Sequence, residues 1–169
     1  NGENFEDYEL EFTLPCQPDR VGFTPSVYLS GHDEPYPFTK KLDLRHDLFD
    51  EDAIILKNMS REITLRSKIS HRGVCVSYPE MSYLGIWHWP KTDAPYVCIE
   101  PWTSLPSRQD VVEEFSCKSD LIHLLPGKTY ENIWSITIGE TTYLAILLKV
   151  HSSSELLICL LEYLNHPSF

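Results

Sequence analysis

The sequence predicts an all-β protein with the architecture of an antiparallel β-sandwich. Short segments alternate apolar with polar side chains, which is the two-residue period of a half-buried strand. Turn-forming residues separate these segments at intervals of about ten residues, and that spacing is typical of sandwiches and barrels. The 169 residues, of which 42% are hydrophobic and 23% charged, are enough for one domain with a buried core.

The first predicted strand covers residues 8–14, where every second side chain is apolar and those between are acidic or threonine. Residues 15–41 are rich in proline and therefore predict turns, with at most one short strand at 27–29. An uninterrupted apolar run at 53–56 predicts a short strand.

The same alternation predicts two further strands at 61–68 and 74–78, joined by a turn that contains Gly73. Residues 83–89 and 95–100 are predicted to pair as a hairpin, because only a short proline-containing connection separates them.

A second hairpin is predicted from residues 121–125 and 129–138, since the Pro126-Gly127 pair between them is a turn signal. The polar segment 103–120 reads as a long loop with one helical turn near 109–114. Long loops that leave a candidate site often carry binding residues.

Residues 139–169 differ from the rest of the chain. Two leucine-rich stretches, 143–150 and 155–164, favour helix, and a run of serines separates them. Polar residues interrupt the apolar run before it reaches the ~20 residues that a membrane span needs. We therefore divide the chain into a β-sandwich unit at 1–138 and a leucine-rich tail at 139–169, which is either helical or non-native.

The charge and the cysteine content of the chain limit the kinds of partner and the cellular setting that we expect for it. The net charge of −11 argues against nucleic acid and against an anionic membrane surface. Five cysteines, an odd number without C-x-x-C spacing, indicate a reducing, cytoplasmic setting over a disulfide framework. No histidine pair has the spacing of a zinc site, and no phosphate-binding or dinucleotide motif is present. We expect no metal and no cofactor.

The segment 94–102 is the first candidate for chemistry. It reads as a short apolar strand that Pro101 ends, which places the Glu100 carboxylate at a strand end beside the Trp102 indole. A carboxylate next to an aromatic face is a plausible sugar-binding arrangement. The pattern alone leaves open that Glu100 is a structural residue in a surface ion pair.

Other candidates come from acids and aromatic residues elsewhere. Asp52 ends an acidic run just before the predicted strand at 53–56 and could accept hydrogen bonds from sugar hydroxyls, although the pattern alone favours a solvated turn. His88 lies between two tryptophans, one of which is Trp87, on the strand that precedes Glu100. A lone strand histidine is often structural. The basic residues of 57–72 indicate either a solvated face or a sugar-phosphate contact.

Six segments, in order along the chain, resemble the aldose 1-epimerase (galactose mutarotase-like) superfamily, particularly its LacX-like branch. They are 5–12 (FEDYELEF), 44–58 (LRHDLFDEDAIILKN), 83–87 (YLGIW), 97–102 (VCIEPW), 125–127 (LPG) and 134–138 (WSITI). The resemblance implies a large antiparallel β-sandwich, of which this chain matches the carboxy-terminal half.

The resemblance also implies a function, the interconversion of the α and β anomers of a hexose by acid–base ring opening. Glu100 matches the general base of the family, and a partly apolar strand end would raise its pKa. Asp52 matches a ligand of the sugar hydroxyls, and Trp102, Trp87 and His88 are expected to line the site. The partner is then a small sugar, either a free hexose or a hexose phosphate, and the oligomeric state stays open.

Two features of the family have no match in this sequence. Its acid histidine lies in a motif just before the segment that 5–12 resembles, and its substrate-binding arginine lies earlier still. We therefore expect a fragment with weak epimerase activity on its own. A non-catalytic carbohydrate-binding β-domain is the main alternative, and an interaction domain that uses the leucine-rich tail is a third.

Overall fold

A computed structural model of the protein describes residues 2–140 and 148–149, and the predicted all-β antiparallel fold is confirmed there. The helices in this part are three short 3-10 turns, Phe5–Asp7, His46–Phe49 and Phe115–Cys117. The strands are β1 Tyr8–Phe12, β2 Asp19–Arg20, β3 Glu34–Pro35, β4 Lys41–Asp43, β5 Ile54–Lys57, β6 Glu62–Ser67, β7 Arg72–Ser77, β8 Tyr83–Trp87, β9 Cys98–Trp102, β10 Ser135–Glu140 and β11 Leu148–Lys149.

The strands form two sheets in which the paired neighbours run antiparallel. The six-stranded sheet has the order β11-β10-β7-β6-β1-β4, and the five-stranded sheet has the order β3-β2-β5-β8-β9. Leu10 of β1 lies opposite Leu65 of β6 and Leu42 of β4, while Ile86 of β8 lies opposite Ile54 of β5 and Ile99 of β9. The predicted hairpin of 83–89 with 95–100 is therefore confirmed.

One hydrophobic core lies between the two sheets. Side chains alternate across a strand, so every second residue points inward from each sheet. The core residues of the six-stranded sheet include Leu10, Phe12, Ile63, Leu65, Val74, Val76 and Ile136, and those of the other sheet include Ile54, Leu56, Leu84, Ile86 and Ile99. Phe12 stacks on Phe38 with ring centroids 4.6 Å apart.

The five-stranded sheet is also covered on its second face. Val21, Ile55 and Cys98 are buried, yet none of them belongs to the core cluster between the sheets. Ile55 alternates with the core residues Ile54 and Leu56 and therefore points away from them. The short strand predicted at 53–56 is present from Ile54 onward, and its residues Ile54, Ile55 and Leu56 are buried.

Two strand ends differ from the predictions. Strand β1 stops at Phe12, and Leu14 is 65% exposed, because the chain turns away after Thr13. Strand β9 does not end at Glu100 but continues through Pro101 to Trp102, so the expected strand-end position was wrong. Because β9 is the last strand of its sheet among the residues that the structure describes, the missing N–H of Pro101 costs no ladder hydrogen bond on its outer side there.

The second predicted hairpin was also wrong. The Pro126-Gly127 turn exists, with Lys128 N–H donating to Leu125 O at 3.0 Å, but 121–125 forms no strand. Leu124 and Leu125 are more than half exposed, and β10 pairs with β7 and β11 instead. The apolar residues 121–125 have no adjacent strand in the described part of the structure with which to form backbone hydrogen bonds, so they do not form a strand themselves.

The helical turn expected at 109–114 was wrong as well. Residues in that range are irregular, and the 3-10 turn follows them at Phe115–Cys117. Of the residues predicted as a strand at 27–29, Leu29 makes single bridges to Phe23 and Arg108. Leu148–Lys149, predicted as helix, form strand β11; the remaining residues of 143–150 and all of 155–164 lie outside the described part.

Candidate functional site

Strands β8 and β9 place several candidate residues on one surface. Their register pairs Tyr83 with Trp102, Gly85 with Glu100 and Trp87 with Cys98. The residues between them, such as Leu84 and Ile99, point into the core, so these three pairs lie on the opposite face. We call this surface, with Ile55 of the neighbouring strand, the outer face of the five-stranded sheet.

Glu100 belongs to the middle one of these three cross-strand pairs, on strand β9 at the end of the sheet, and is partly exposed. Its cross-strand partner Gly85 has no side chain, and a Cβ there would lie 3.2 Å from Glu100 Cβ and 3.3 Å from Ile55 Cδ1. The absence of a side chain at Gly85 therefore lets Glu100 and Ile55 pack closely against β8. On the same face, Trp102 lies one cross-strand pair from Glu100 in one direction and Trp87 lies one pair away in the other.

We predict that Gly85→Val lowers both sugar binding and stability. The new methyl groups would push against Glu100 and Ile55, which already lie close to Gly85, and such overpacking typically costs about 1–3 kcal/mol. Denaturant unfolding measures the stability change, and calorimetric titration with glucose measures binding. Ser82→Val, at an exposed position just before β8, is the control and should change stability by less than ~0.5 kcal/mol. Equal effects of the two substitutions would contradict the prediction.

Asp52 reaches the outer face from the turn that precedes β5. Its φ of 83° lies in the left-handed region, which aspartate tolerates better than most residues. Its N–H donates to Phe49 O at 2.9 Å, and its Oδ1 accepts from Ala53 N–H at 2.8 Å and from Trp87 Nε1 at 3.0 Å. The structure therefore brings Asp52 and Trp87 into direct contact, while the neighbouring Asp50 and Glu51 stay exposed.

His88, by contrast, is fully buried on the core side of the same strand end. Its Nε2 lies 2.9 Å from Ala94 O and 3.0 Å from His46 Nδ1. A carbonyl only accepts, so Nε2 carries the proton. The ring also stacks on Phe49 and Tyr96. His88 thus closes the β8–β9 connection, and the structure does not bring it to the surface that Trp87 shares with Asp52.

Burial lowers the pKa of His88 below its ordinary 6.5, and the proximity of His46 lowers it further, against the opposing effect of the Ala94 carbonyl. Glu6, 3.7 Å from His46 Nε2, and Asp93 are the acidic groups near the pair. Because the folded protein resists protonating His88, the unfolded chain binds more protons below pH 6.5.

We therefore predict that the free energy of unfolding is level just above pH 6.5 and falls as the pH is lowered below it. The lowered carboxyl pKa values of Glu3, Asp33 and Asp120 act separately, below their ordinary 4.5, 3.8 and 3.8. Urea unfolding at a series of pH values measures how the free energy of unfolding depends on pH. His88→Gln should flatten the dependence between pH 6.5 and the acidic range, whereas replacing the exposed His123 with Gln should preserve it. An unchanged profile in His88→Gln would refute this assignment.

Tyr83 is a residue of the outer face that the sequence analysis did not single out. It lies opposite Trp102, and burial raises the pKa of its hydroxyl, with a further contribution from the negative charge of Asp120. The signal was present in the sequence, because Tyr83, Gly85 and Trp87 share one face by the two-residue period. The family resemblance covers the segment 83–87 as a whole and does not distinguish the face that these three residues share.

The basic side chains of residues 57–72 do not come together to form an anion-binding site. Arg61 donates to the Met81 carbonyl. The ion pairs in this stretch are Lys57–Asp33 at 2.6 Å, Arg66–Glu11 at 3.2 Å and Lys68–Asp43 at 3.1 Å. These charges are already compensated, so they favour a structural role over a sugar-phosphate contact.

Residues 2–140 and 148–149 contain no cluster of three or more histidine, cysteine, aspartate or glutamate side chains that could hold a metal ion. The helices described there are also too short to cross a membrane. What the outer face does offer is one central carboxylate, a second carboxylate at its rim and three aromatic rings. Such a surface can exchange a proton and pack against the C–H face of a sugar ring.

Comparison with curated proteins relates the chain to LacX. No protein-family model matches the sequence. The chromosomal LacX protein of Lactococcus lactis subsp. lactis is 32% identical over 141 residues, which cover 81% of this chain and 47% of that protein. The plasmid-encoded LacX of the same organism matches to the same extent. The chain therefore spans about half the length of these relatives.

Two solved structures are also similar to the chain over about half or less of their own length. A galactose mutarotase related enzyme from Lactobacillus acidophilus superposes with a TM-score of 0.74 at 30% identity, covering 87% of this chain and 50% of that one. A galactose mutarotase-like protein from Lactobacillus casei ATCC 334 gives a TM-score of 0.58 at 27% identity, over 68% of this chain and 40% of that one.

Proposed function

Because the chain belongs to the aldose 1-epimerase-like superfamily, in its LacX-like branch, we propose that it carries the base side of a sugar mutarotation site. The observation that supports this most is the position of Glu100, partly exposed on the outer face, opposite Gly85 and between the positions of Trp87 and Trp102. The substrate is a hexose, and Glu100 is its general base.

In the proposed reaction the Glu100 carboxylate accepts the proton of the anomeric hydroxyl at C1. The C1–O5 bond breaks, C1 becomes an aldehyde carbon, and a general acid gives a proton to O5. Rotation about the C1–C2 bond turns the other face of the aldehyde toward O5. Ring closure then returns the proton from O5 to the acid and the proton from Glu100 to the new anomeric oxygen. The base and the acid each end in their starting state.

Asp52, Trp87 and Trp102 hold the sugar in this proposal. Asp52 uses Oδ1 for Trp87 and Ala53, so its second oxygen can accept a hydrogen bond from a sugar hydroxyl. Trp102 offers an aromatic face beside Glu100. His88 acts by holding the β8–β9 connection through Ala94, and not by contact with the sugar.

The proposed general acid is a histidine outside the segments that this chain shares with the family pattern. General-acid assistance typically contributes about 10²–10⁴-fold, so we propose that the 169-residue chain alone accelerates mutarotation weakly. Residues 1–138 form the sugar-handling unit in this proposal, and 139–169 lie outside it. Further parts of the site would then come from additional polypeptide.

The proposed partner is a small sugar rather than nucleic acid or a membrane, in keeping with the net charge of −11. Cys16, Cys75, Cys98 and Cys117 form no disulfide in the described part of the chain, which supports a cytoplasmic setting. The compensated basic residues near 57–72 favour a free hexose over a hexose phosphate.

A non-catalytic carbohydrate-binding domain is the second candidate, because the Asp52–Trp87 pair can bind a sugar without a reaction. The two candidates separate in a paired experiment on the wild-type chain. Calorimetric titration with D-glucose and D-galactose measures binding, and polarimetry of freshly dissolved α-D-glucose and α-D-galactose measures turnover. Binding with accelerated mutarotation supports the epimerase proposal. Binding without any acceleration supports the binding domain, and absence of binding contradicts both.

A further inference from the structure

Two hydrogen bonds join the same two segments of the chain, one on each face of the five-stranded sheet. On the outer face, Trp87 Nε1–H donates to Asp52 Oδ1 at 3.0 Å. On the core side, His46 Nδ1 lies 3.0 Å from His88 Nε2. Trp87 and His88 are neighbours at the end of β8, and His46 begins the 3-10 turn that leads to Asp52. A displacement of one pair is therefore transmitted to the other through only a few residues of backbone.

The turn at 46–52 is short and closely packed. Asp52 N–H donates back to Phe49 O at 2.9 Å, and the backbone of Asp52 has a left-handed φ of 83°. The Phe49 ring has no exposed surface and stacks on His88, with ring centroids 5.5 Å apart. Because so tight a turn has little slack to absorb a shift, we expect a movement of His46 to displace Asp52 as well.

The two histidine rings fit together in one protonation state. His88 Nε2 faces both Ala94 O, at 2.9 Å, and His46 Nδ1, and it carries a proton because a carbonyl only accepts. His46 Nδ1 is then the acceptor, which leaves the proton of His46 on Nε2, 3.7 Å from Glu6 Oε1. The neutral pair thus shares one hydrogen between its two facing nitrogens.

A further proton has no suitable place in the closed pair. It reaches the pair through His46, whose side chain is 22% exposed, since His88 has no exposed surface. On His46 Nδ1 it would turn two N–H groups toward each other at 3.0 Å. On His88 Nδ1 it would charge a buried atom that has no well-formed hydrogen bond in the described part of the chain. Protonation therefore drives the rings apart, and histidine takes up such a proton below about pH 6.5.

The charges around the histidine pair do little to compensate a proton there. Glu6 is the nearest acid, but its side chain is 54% exposed and therefore screened by water. Arg45 and Asp47 form an ion pair with each other at 2.9 Å and largely cancel. The titratable and charged groups on the elements packed against the pair are Glu6 and Asp7 of the first 3-10 turn, Arg45 and Asp47 at the second, and Asp93 and Tyr96 of the β8–β9 connection.

We propose that His46 is a positioning residue of the sugar site, which keeps Asp52 and Trp87 in contact only while the histidine pair is neutral. It acts from the core side, through His88 on Trp87 and through the 3-10 turn on Asp52, and does not touch the sugar. The effect on sugar binding rests on the proposed function. The coupling between the two hydrogen bonds is a property of the protein without ligand and can be measured separately.

The first test follows the indole N–H resonance of Trp87 by NMR in the full 169-residue chain without sugar, with Trp87→Phe to assign it. Between about pH 7.5 and about pH 5.5 we expect this resonance to shift in the wild type. His46→Asn offers an amide oxygen near the position of Nδ1, which still accepts from His88 but does not titrate, so the resonance should stay constant. His46→Phe keeps the ring but removes the acceptor and should show the acidic position throughout. His123→Asn, at an exposed histidine, should behave like the wild type.

The second test is calorimetric titration of the same proteins with D-glucose at the two ends of this pH range. Wild-type affinity should fall at least about fivefold at the acidic end, which is a typical coupling between two sites. His46→Asn should change less than about twofold over the range, and His46→Phe should bind weakly at both ends. Circular dichroism at both pH values verifies that each protein is folded during the measurement.

The two measurements separate the positioning role from the proposed function. A constant Trp87 resonance in the wild type, or a shift in His46→Asn as large as in the wild type, overturns the positioning role. A shift of the resonance with constant glucose affinity overturns it as well. A shift that requires His46, together with no glucose binding at any pH, supports the coupling and refutes the proposed function alone.

Discussion

Replacing Glu100 with glutamine should abolish the acceleration of mutarotation while sugar binding persists. Glutamine has nearly the same shape and can still hydrogen-bond a hydroxyl, but it cannot accept the anomeric proton. A positioned general base typically contributes about 10²–10⁴-fold, so the catalysed rate should fall by at least ~10²-fold. Polarimetry of α-D-glucose measures the rate, and calorimetric titration with glucose measures binding.

Two controls separate this effect from misfolding. Glu100→Gln should keep the denaturation midpoint of the wild type, because Glu100 is partly exposed and outside the core between the sheets. Glu100→Asp keeps the charge but withdraws it by one methylene, so it should retain some activity. Full activity in Glu100→Gln would assign the base to another group, whereas a loss of binding in the same variant would make Glu100 a sugar ligand.

Leu10→Ala in β1 should strongly destabilise the protein. Leu10 has no exposed surface and packs between the sheets, opposite Leu65 and Leu42. Removing a buried leucine side chain typically costs about 2–5 kcal/mol, because the transfer free energy is lost and a cavity remains. Urea denaturation of the variant measures the loss directly.

Leu14→Ala is the matched control, since the same atoms are removed four residues further along the predicted strand. Leu14 is 65% exposed beyond the end of β1, so its truncation should cost less than ~0.5 kcal/mol. The alternation in the sequence treats Leu10 and Leu14 alike, and only the structure distinguishes them. Similar losses in the two variants would mean that the strand extends to Leu14 after all.

The two-residue period was sufficient to predict the strands with a buried face. Ile63 and Leu65 in β6 and Val74 and Val76 in β7 alternate with polar residues, and each of these strands lies in the sheet. The short strands β2, β3 and β4 escaped prediction because they are two or three residues long and have no fully buried residue. Tertiary pairing, not local preference, creates such strands.

For the same reason, the sequence could not predict that β9 lies at the edge of its sheet or which strand pairs with β10. Pro101 stops a central strand but not an edge strand, and nothing local to residues 97–102 says that β9 is last in its sheet. Likewise the apolar residues at 121–125 resemble a strand, but β10 takes β7 as its partner. These outcomes depend on the register of distant segments.

For the candidate site, the sequence identified Glu100, Trp102, Asp52 and Trp87, and the structure adds how they are arranged. The Asp52–Trp87 hydrogen bond joins residues that are 35 positions apart, which no local pattern reveals. His88 shows the opposite case. It was expected to line the site, but the strand period turns it inward, toward His46 and the core aromatic residues.

The most direct test of the central proposal is magnetisation exchange between the α and β anomeric protons of D-glucose at equilibrium, observed by NMR. This measurement follows both anomers at once and needs no net change in concentration. The account predicts exchange above the buffer rate with the wild-type chain and exchange at the buffer rate with Glu100→Gln. Exchange at the buffer rate with folded, sugar-binding wild-type protein, or equal exchange in both proteins, would contradict it.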